Sequence, residues 1–325
     1  EVVRFKKYDK GKSVKEFVGR DLKKISWNNN AFQHLEKGIS YSFDSNNIYN
    51  CCYRPFTKIN AYFSRQLNAR TYQNYKIFPY VNAENLVIIV SGIGAQTGFS
   101  VFMSDRLCDL NILQASQCFP LKIYEETNID GGLFQNQSSA EKYHISDGIS
   151  DECFKQFLDS YPEEKLTKED IFYYIYGLLH SNEYRKTFYN NLLKETPRIP
   201  TVRYFKDFMT FSKSGRKLST LHINYETANP YPVTFKEGDL RLANITDPAL
   251  FYRVEKMKFV NKSDKSTVIY NKNITIKNIP LEAYEYVING KSALDWVMER
   301  QSVKSDKASG IVNDINDYAN ETMQN

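Results

Sequence analysis

Apolar and aromatic residues recur in short runs from residue 25 to about residue 121, broken by Asn, Gly and Ser. The stretches "ISYSFD" (39–44), "NAYFSRQL" (60–67), "NLVIIVSG" (85–92) and "FSVFMSD" (99–105) predict β-strands joined by turns. Residues 128–148, polar and containing glycine, predict a long surface loop. The pattern then changes to helical spacing. "SDECFKQFLDSYP" (150–162) places Phe154, Phe157 and Leu158 on one face. Thr167 and Asp170 stand in a capping-box relation before a stripe of Ile171, Tyr174, Ile175, Leu178 and Leu179. Pro197 and Pro200 end that helix pair. Residues 203–226 predict a further helix, with Gly215 as its weak point. Residues 253–260 and 266–279 predict a hairpin or small sheet, and residues 280–323 predict helix, turn, helix and a polar tail.

Strands come first and helices later, without strand–helix alternation. That order predicts an α+β fold: a β-rich N-terminal part followed by a mainly helical C-terminal part with a small hairpin. Residues 1–24, lysine-rich and poor in apolar positions, are expected to be a linker or the tail of an upstream domain. Residues 25–150 are expected to form one subdomain and residues 151–325 a second that packs on it.

Composition narrows the classes. The 325 residues carry a net charge of +5, so the placement of charge matters more than its total. No apolar run approaches the roughly 20 residues of a membrane span, and a cytoplasmic chain is expected. Starting at Glu1, it reads as a soluble piece of something longer. The five cysteines form no C-x-x-C pair, which fits free thiols in a reducing compartment rather than a disulfide framework or zinc site.

Catalytic motifs are absent or defective. A β-branched run leads into Gly92-Ile93-Gly94, as a dinucleotide fold would begin, but Thr97 stands where the third glycine belongs. The following "FSVFMSD" alternates like a strand, so the helix N-terminus that would bind phosphate is missing. A strand–turn–strand is expected instead. "NPYP" (229–232) is similar to the Asn-Pro-Pro-Tyr motif of amino-methyltransferases, with Tyr231 in place of a proline. "GKS" (290–292) lacks the upstream glycine of a phosphate loop. His180, beside Ser181, reads as a capping or core-edge residue.

Between Asp44 and Glu84 there is no acidic residue, whereas Arg54, Lys58, Arg65, Arg70 and Lys76 are interleaved with Tyr, Asn and Gln. Such a segment suits DNA: cations neutralise phosphates, and Arg, Asn and Gln make bidentate contacts to base edges.

Several stretches resemble one family: "YRPF" (53–56), "SQCFPLKIYEE" (116–126), "EDIFYYIYGLLHSNEYRKTF" (169–188), "PRIP" (197–200), "FSKSGRKLSTLHINYE" (211–226) and "IPLEAYEYVINGKSALDWVMERQ" (279–301). Together they resemble the C-terminal target recognition, or specificity, region of type ISP single-polypeptide restriction-modification enzymes, whose relatives are often labelled predicted helicases. The resemblance implies sequence-specific binding of double-stranded DNA by a non-catalytic chain that holds no cofactor. It also implies upstream nuclease, translocase and N6-adenine methyltransferase parts using ATP, Mg and S-adenosylmethionine. The residues expected to contact DNA come from the basic segment and the glycine turn, not from the family motifs: Arg54, Lys58, Arg65, Arg70, Tyr72, Lys76, Gln96 and Thr97. Two alternatives stand beside this reading. One is a divergent adenine methyltransferase using Gly92, Gly94 and Asn229; the other is a module whose residues 150–226 dock on the upstream domains.

Overall fold

The structure, a computed structural model, describes residues 5, 13–21, 27–127, 142–240, 244–261 and 263–317. Helix α1 (Val14–Phe17) is closed by a capping box between Ser13 and Glu16 and packs on α2 (Asn29–Glu36) through Val14, Val18 and Leu35. Part of the stretch expected as a linker is therefore an ordered turn with its own small core.

Strands β1 (Ile48–Arg54) and β2 (Thr57–Tyr62) form an antiparallel hairpin with a register shift between Cys52 and Arg54. The expected strand at residues 39–44 does not pair. Asp44 instead accepts a hydrogen bond from the Asn46 amide and starts a 3-10 turn at Ser45–Asn47, the local side-chain capture typical of Asp before Asn. After α3 (Asn74–Ile77), strands β3 (Val87–Val90), β4 (Val101–Ser104) and β5 (Gln117–Pro120) make an antiparallel sheet in the order β4-β3-β5. Every residue of β3 and β4 is buried. Ile88, Val90, Val101 and Met103 face one core, while Val87, Ile89 and Phe102 face another. A strand covered on both faces reads as a continuous apolar run.

Strand β6 (Lys122–Glu126) pairs antiparallel with β7 (Tyr143–Asp147). The expected surface loop thus ends in a strand; residues 128–141 lie outside the described residues.

Helices concentrate in the middle of the chain: α4 (Asp151–Ser160), α5 (Lys168–Leu179), α6 (Asn182–Thr187), α7 (Tyr189–Leu192) and α8 (Phe205–Ile223). Thr167 and Asp170 form the expected capping box at the start of α5. Helices α5 and α8 cross at two glycines. A β-carbon on Gly177 would stand 2.2 Å from the Phe211 carbonyl oxygen, and one on Gly215 would stand 2.0 Å from that of Tyr173. Gly215 is therefore the point of closest approach between the helices rather than a weak point.

Beyond α8, sheet structure returns. Strands β8 (Thr234–Phe235), β9 (Lys258–Asn261), β10 (Asp264–Ile269) and β11 (Thr275–Lys277) are ordered β8-β11-β10-β9, with α9 (Pro248–Tyr252) beside them. Where a helix was expected after Pro280, a 3-10 turn at Leu281–Tyr284 leads into a hairpin of β12 (Val287–Ile288) and β13 (Lys291–Ser292). Asn289 and Gly290 have φ of 50° and 79°, the left-handed pair a two-residue type I′ turn requires. Helix α10 (Ala293–Arg300), the short pair β14 (Lys304–Ser305) and β15 (Val312–Asn313), and a 3-10 turn at Ile315–Asp317 follow. Trp296 on α10 donates to the Ile288 carbonyl and joins the core under β1 and β3. The class is α+β, and the two largest cores each draw residues from both sides of residue 150.

One interior cluster is polar. Tyr176, His180, His222 and Tyr286 meet between α5, α8 and the β12–β13 region. The His180 Nδ1–H donates to the Tyr176 carbonyl at 2.8 Å, which leaves Nε2 to accept from the Tyr286 hydroxyl at 3.3 Å. The Tyr176 hydroxyl bonds His222 Nδ1. Burial and the adjacent Arg185 guanidinium hold His180 down to about 4; burial and His180 hold His222 down to about 3. Both are held as neutral imidazoles, His222 buried and His180 half-buried. Among the described residues no helix is long and apolar enough to cross a membrane.

Candidate functional site

The acid-free segment folds into the β1–β2 hairpin, a loop and α3, and its cations separate into two groups. Arg54 and Lys58 are structural. The Arg54 guanidinium lies 2.6 Å from the Asp109 carboxylate and covers the Tyr53 ring, with its side chain 17% exposed. Lys58 is 12% exposed. Its ammonium donates to the Ile223 carbonyl at 3.2 Å, pairs with Glu226 at 3.0 Å and lies over the Tyr225 ring. Between them, Phe56 turns the hairpin at φ 55° and packs on Phe102, His222 and Tyr225. The "YRPF" motif thus ties the hairpin to the end of α8.

Arg65, Arg70, Tyr72 and Lys76 face solvent. Arg65 stacks on Tyr75 at 4.4 Å and pairs with Glu126 at 3.1 Å, while Lys76 stands 3.7 Å from Glu125. With Tyr75, Tyr124 and those two glutamates they line a cavity of about 380 Å³. Both pairs are more than half exposed, so water screens them and an incoming phosphate can replace the carboxylate. The Tyr75 hydroxyl is buried and finds no hydrogen-bond partner among the described residues. Burial pushes its pKa up to about 12, against the pull of Arg65.

The loop before α3 carries two unusual residues. Arg70 and Tyr72 have φ of 56° and 45°, a left-handed conformation that costs a non-glycine residue energy. Both side chains point out, Tyr72 being 67% exposed. Neither has a hydrogen bond or ion pair among the described residues. The loop base is fixed elsewhere: the Ser64 amide donates to Asn68 Oδ1 at 2.7 Å, and Asn28 donates to the Leu67 carbonyl. Phe63 stacks on Tyr75 beneath it. The result is an arginine and a tyrosine displayed from a braced, strained loop.

The glycine turn joins β3 to β4 as strand–turn–strand, with a strand and no helix N-terminus after it. Gly92 lies against the Ala115 carbonyl, where a β-carbon would come within 2.0 Å. Gln96 and Thr97 are exposed, but their backbone is held: both amides donate to Gln114 Oε1, at 2.7 and 3.2 Å. The Thr97 hydroxyl donates to Asn289 Oδ1 at 2.8 Å, and that oxygen also accepts from the Gln114 amide. The Asn289 amide in turn donates to Ser100 Oγ. Of the two tip residues, Gln96 keeps a free side chain and Thr97 is clasped.

The structure therefore gathers Arg65 and Lys76 at one cavity and presents Arg70 and Tyr72 on the loop between them in sequence. Arg54 and Lys58 stand apart, neutralised by acids distant in the chain. A further basic group escaped the sequence reading: Lys256, Lys258 and Lys272 around a cavity on the C-terminal sheet. Lys256 and Lys258 flank buried Met257, and this alternation was the available signal. Among the described residues no group of three or more His, Cys, Asp or Glu side chains is placed to hold a metal ion.

A family model described as the Type ISP C-terminal specificity domain matches residues 3–325. Three solved structures are similar to this fold. The ATP-dependent Type ISP restriction-modification enzyme LlaBIII, bound to DNA, is 33% identical with a TM-score of 0.80; the match covers 98% of this chain and 19% of that one. A nuclease-deletion mutant of the Type ISP restriction-modification enzyme LlaGI, in complex with a DNA substrate mimic, is 34% identical with a TM-score of 0.79, over 98% of this chain and 22% of that one. The DrdV–DNA complex gives 29%, 0.78, 95% and 29% for the same quantities. This chain thus spans less than a third of the length of each. No curated protein matches it.

Proposed function

The chain belongs to the family of Type ISP C-terminal specificity domains, and on that premise we propose that it recognises double-stranded DNA by sequence, within a larger restriction-modification polypeptide. The observation that carries the reading to particular residues is the braced loop with unpaired Arg70 and Tyr72. A free guanidinium grips guanine O6 and N7 bidentately, and an exposed tyrosine packs against bases or bonds phosphate. Bracing the loop beforehand lowers the ordering cost of binding. Arg65 and Lys76 stand at the base of the loop as phosphate contacts that set register, and Gln96 offers a third point of base contact. Arg54 and Lys58 support this surface from within, and Thr97, at the turn, holds Asn289.

Three solved DNA complexes of similar fold support the same reading. In the proposed whole, nuclease, translocase and methyltransferase parts lie upstream and use ATP, Mg and S-adenosylmethionine, and this chain recognises without catalysing. Its helical half, residues 150–226, docks on those parts in the cytoplasm. The methyltransferase alternative is disfavoured by the strand that follows Gly94, since no helix N-terminus faces a cofactor there.

The test is random-site selection with the full-length protein carrying Arg70→Ala and Tyr72→Ala. The expected result is a relaxed consensus at one or two positions and a loss of about 10- to 100-fold on the cognate duplex, from roughly 1–3 kcal/mol per base contact. An unchanged consensus removes this loop from recognition. A wild-type protein with no sequence preference overturns the function.

A further inference from the structure

The C-terminal sheet holds a second concentration of positive charge, far in sequence from the segment described above. Strand β9 starts at Lys258, just after the buried Met257, and Lys256 stands before them in an isolated bridge to Ser302; both lysines are exposed. Lys258 pairs in register with Ile269 of β10. Three residues past Ile269, exposed Lys272 occupies the turn from β10 to β11. That turn is firmly built: the Asn271 side-chain amide donates to the Phe251 and Arg253 carbonyls at 2.8 and 3.0 Å, and its Oδ1 accepts from the Asn273 and Ile274 amides.

These side chains surround a cavity of about 350 Å³ that is also lined by Arg253, Glu255 and Asn271. Four cations there face the single carboxylate of Glu255. That carboxylate is already engaged by Arg253, which is held in turn by Asp314. Lys256, Lys258 and Lys272 have no ion pair among the described residues. Three unpaired ammonium groups round one concavity repel each other unless an anion enters.

We propose that the Lys256–Lys258–Lys272 cavity is a phosphate-backbone site for duplex DNA, one that anchors the chain without reading sequence. The proposal rests on the DNA-recognition reading above and extends the contact surface to the C-terminal sheet. A DNA strand carries its phosphates in a closely spaced row, so several ammonium groups round one cavity can address phosphates of the same strand. Flexible ammonium groups tolerate this loose match, whereas planar guanidinium groups demand fixed geometry.

The experiment compares the full-length protein with a Lys256→Gln/Lys258→Gln/Lys272→Gln variant, measuring duplex affinity from 50 to 300 mM salt. Each lost phosphate contact removes about 0.9 from the slope of log affinity against log salt. The expected result is a slope shallower by about two to three and a loss on the order of 100-fold at 0.1 M salt, equal for cognate and random duplexes. An unchanged slope and affinity overturns the site and leaves the recognition reading intact, provided that the wild type still binds its cognate duplex. A loss confined to the cognate duplex also overturns it, because the lysines would then be reading bases. The second arm acylates surface lysines with and without ligand and locates the labels by mass spectrometry. Duplex DNA should protect the three positions where inorganic phosphate at the same phosphate concentration does not. Equal protection by inorganic phosphate makes this a small-anion pocket and overturns the assignment to DNA. Circular dichroism of the variant checks that the exposed substitutions leave the fold in place.

Discussion

Replacing Gly215 by alanine sets two effects of similar size against each other. Alanine is better than glycine in a helix interior by about 0.8–1.0 kcal/mol, and Gly215 lies well inside the 19-residue helix α8. Helix propensity alone therefore predicts stabilisation. The crossing with α5 predicts the opposite. The new methyl would sit 2.0 Å from the Tyr173 carbonyl oxygen and 2.9 Å from the Gly177 nitrogen, below the 3.0 Å that β-carbons respect. Both atoms are backbone, so no side chain can turn aside. The helices must part by about 1 Å along a seam that buries Phe172, Tyr176 and Phe208. Overpacking of this kind costs about 1–3 kcal/mol. With rigid backbone on the other side the upper part of that range applies, and the net loss is about 1–2 kcal/mol. Thermal unfolding followed by circular dichroism should show a midpoint lowered by roughly 1.5–3 °C. Ser214→Ala, exposed on the same helix, isolates propensity and should raise the midpoint slightly. If Gly215→Ala also raises it, the close crossing of α5 and α8 is refuted.

Acid should weaken the fold through two histidines held neutral, His222 buried and His180 half-buried. His180 and His222 titrate near 4 and near 3 when folded, against about 6.5 unfolded. Their contribution is complete above pH 6.5 and falls away as pH drops from 6.5 towards 4 and then 3, because the unfolded chain takes up the protons first. At about 1.4 kcal/mol per pH unit for each, the two together cost about 4 kcal/mol by pH 5. Urea midpoints at pH 7 and pH 5 measure this, and equal midpoints would contradict a pair held neutral. Gln114→Ala removes the acceptor of two amides at the glycine turn and should cost about 1 kcal/mol while speeding amide hydrogen exchange at Gln96 and Thr97. Unchanged protection at those two amides would mean that Gln114 does not hold the tip.

Local chemistry was the readable part of the sequence. The capping box of Thr167 and Asp170 was visible because it is complete within four residues. The glycine turn was separated from a nucleotide cradle by the alternation of the next seven residues, which no helix would show. Legibility ended where partners lie far along the chain. Arg54 and Lys58 look no different from Arg70 in sequence; Asp109, 55 residues on, and Ile223, 165 residues on, make the difference. Gly215 was misread because propensity is local and its reason, the Tyr173 carbonyl, is tertiary. The β12–β13 hairpin was missed although Asn289-Gly290 is a strong turn signal. The lysines of the C-terminal sheet became a group only when β9 and β10 were paired.

The clasp of Asn289 on Thr97 and Gln114 bears on how such a chain is inherited and rebuilt. Three hydrogen bonds tie the β12–β13 hairpin to Thr97, Ser100 and Gln114, residues 175 to 192 positions earlier in the chain. A hybrid that takes residues 25–150 from one relative and the remainder from another would mate a turn with a hairpin that had never matched it. The piece that keeps this closure whole runs from the first hairpin through α10, because Trp296 also holds the β12–β13 hairpin. Under the proposed reading, new sequence preferences are better sought by changing side chains on the loop around Arg70 and Tyr72, which makes no hydrogen bond to that clasp among the described residues.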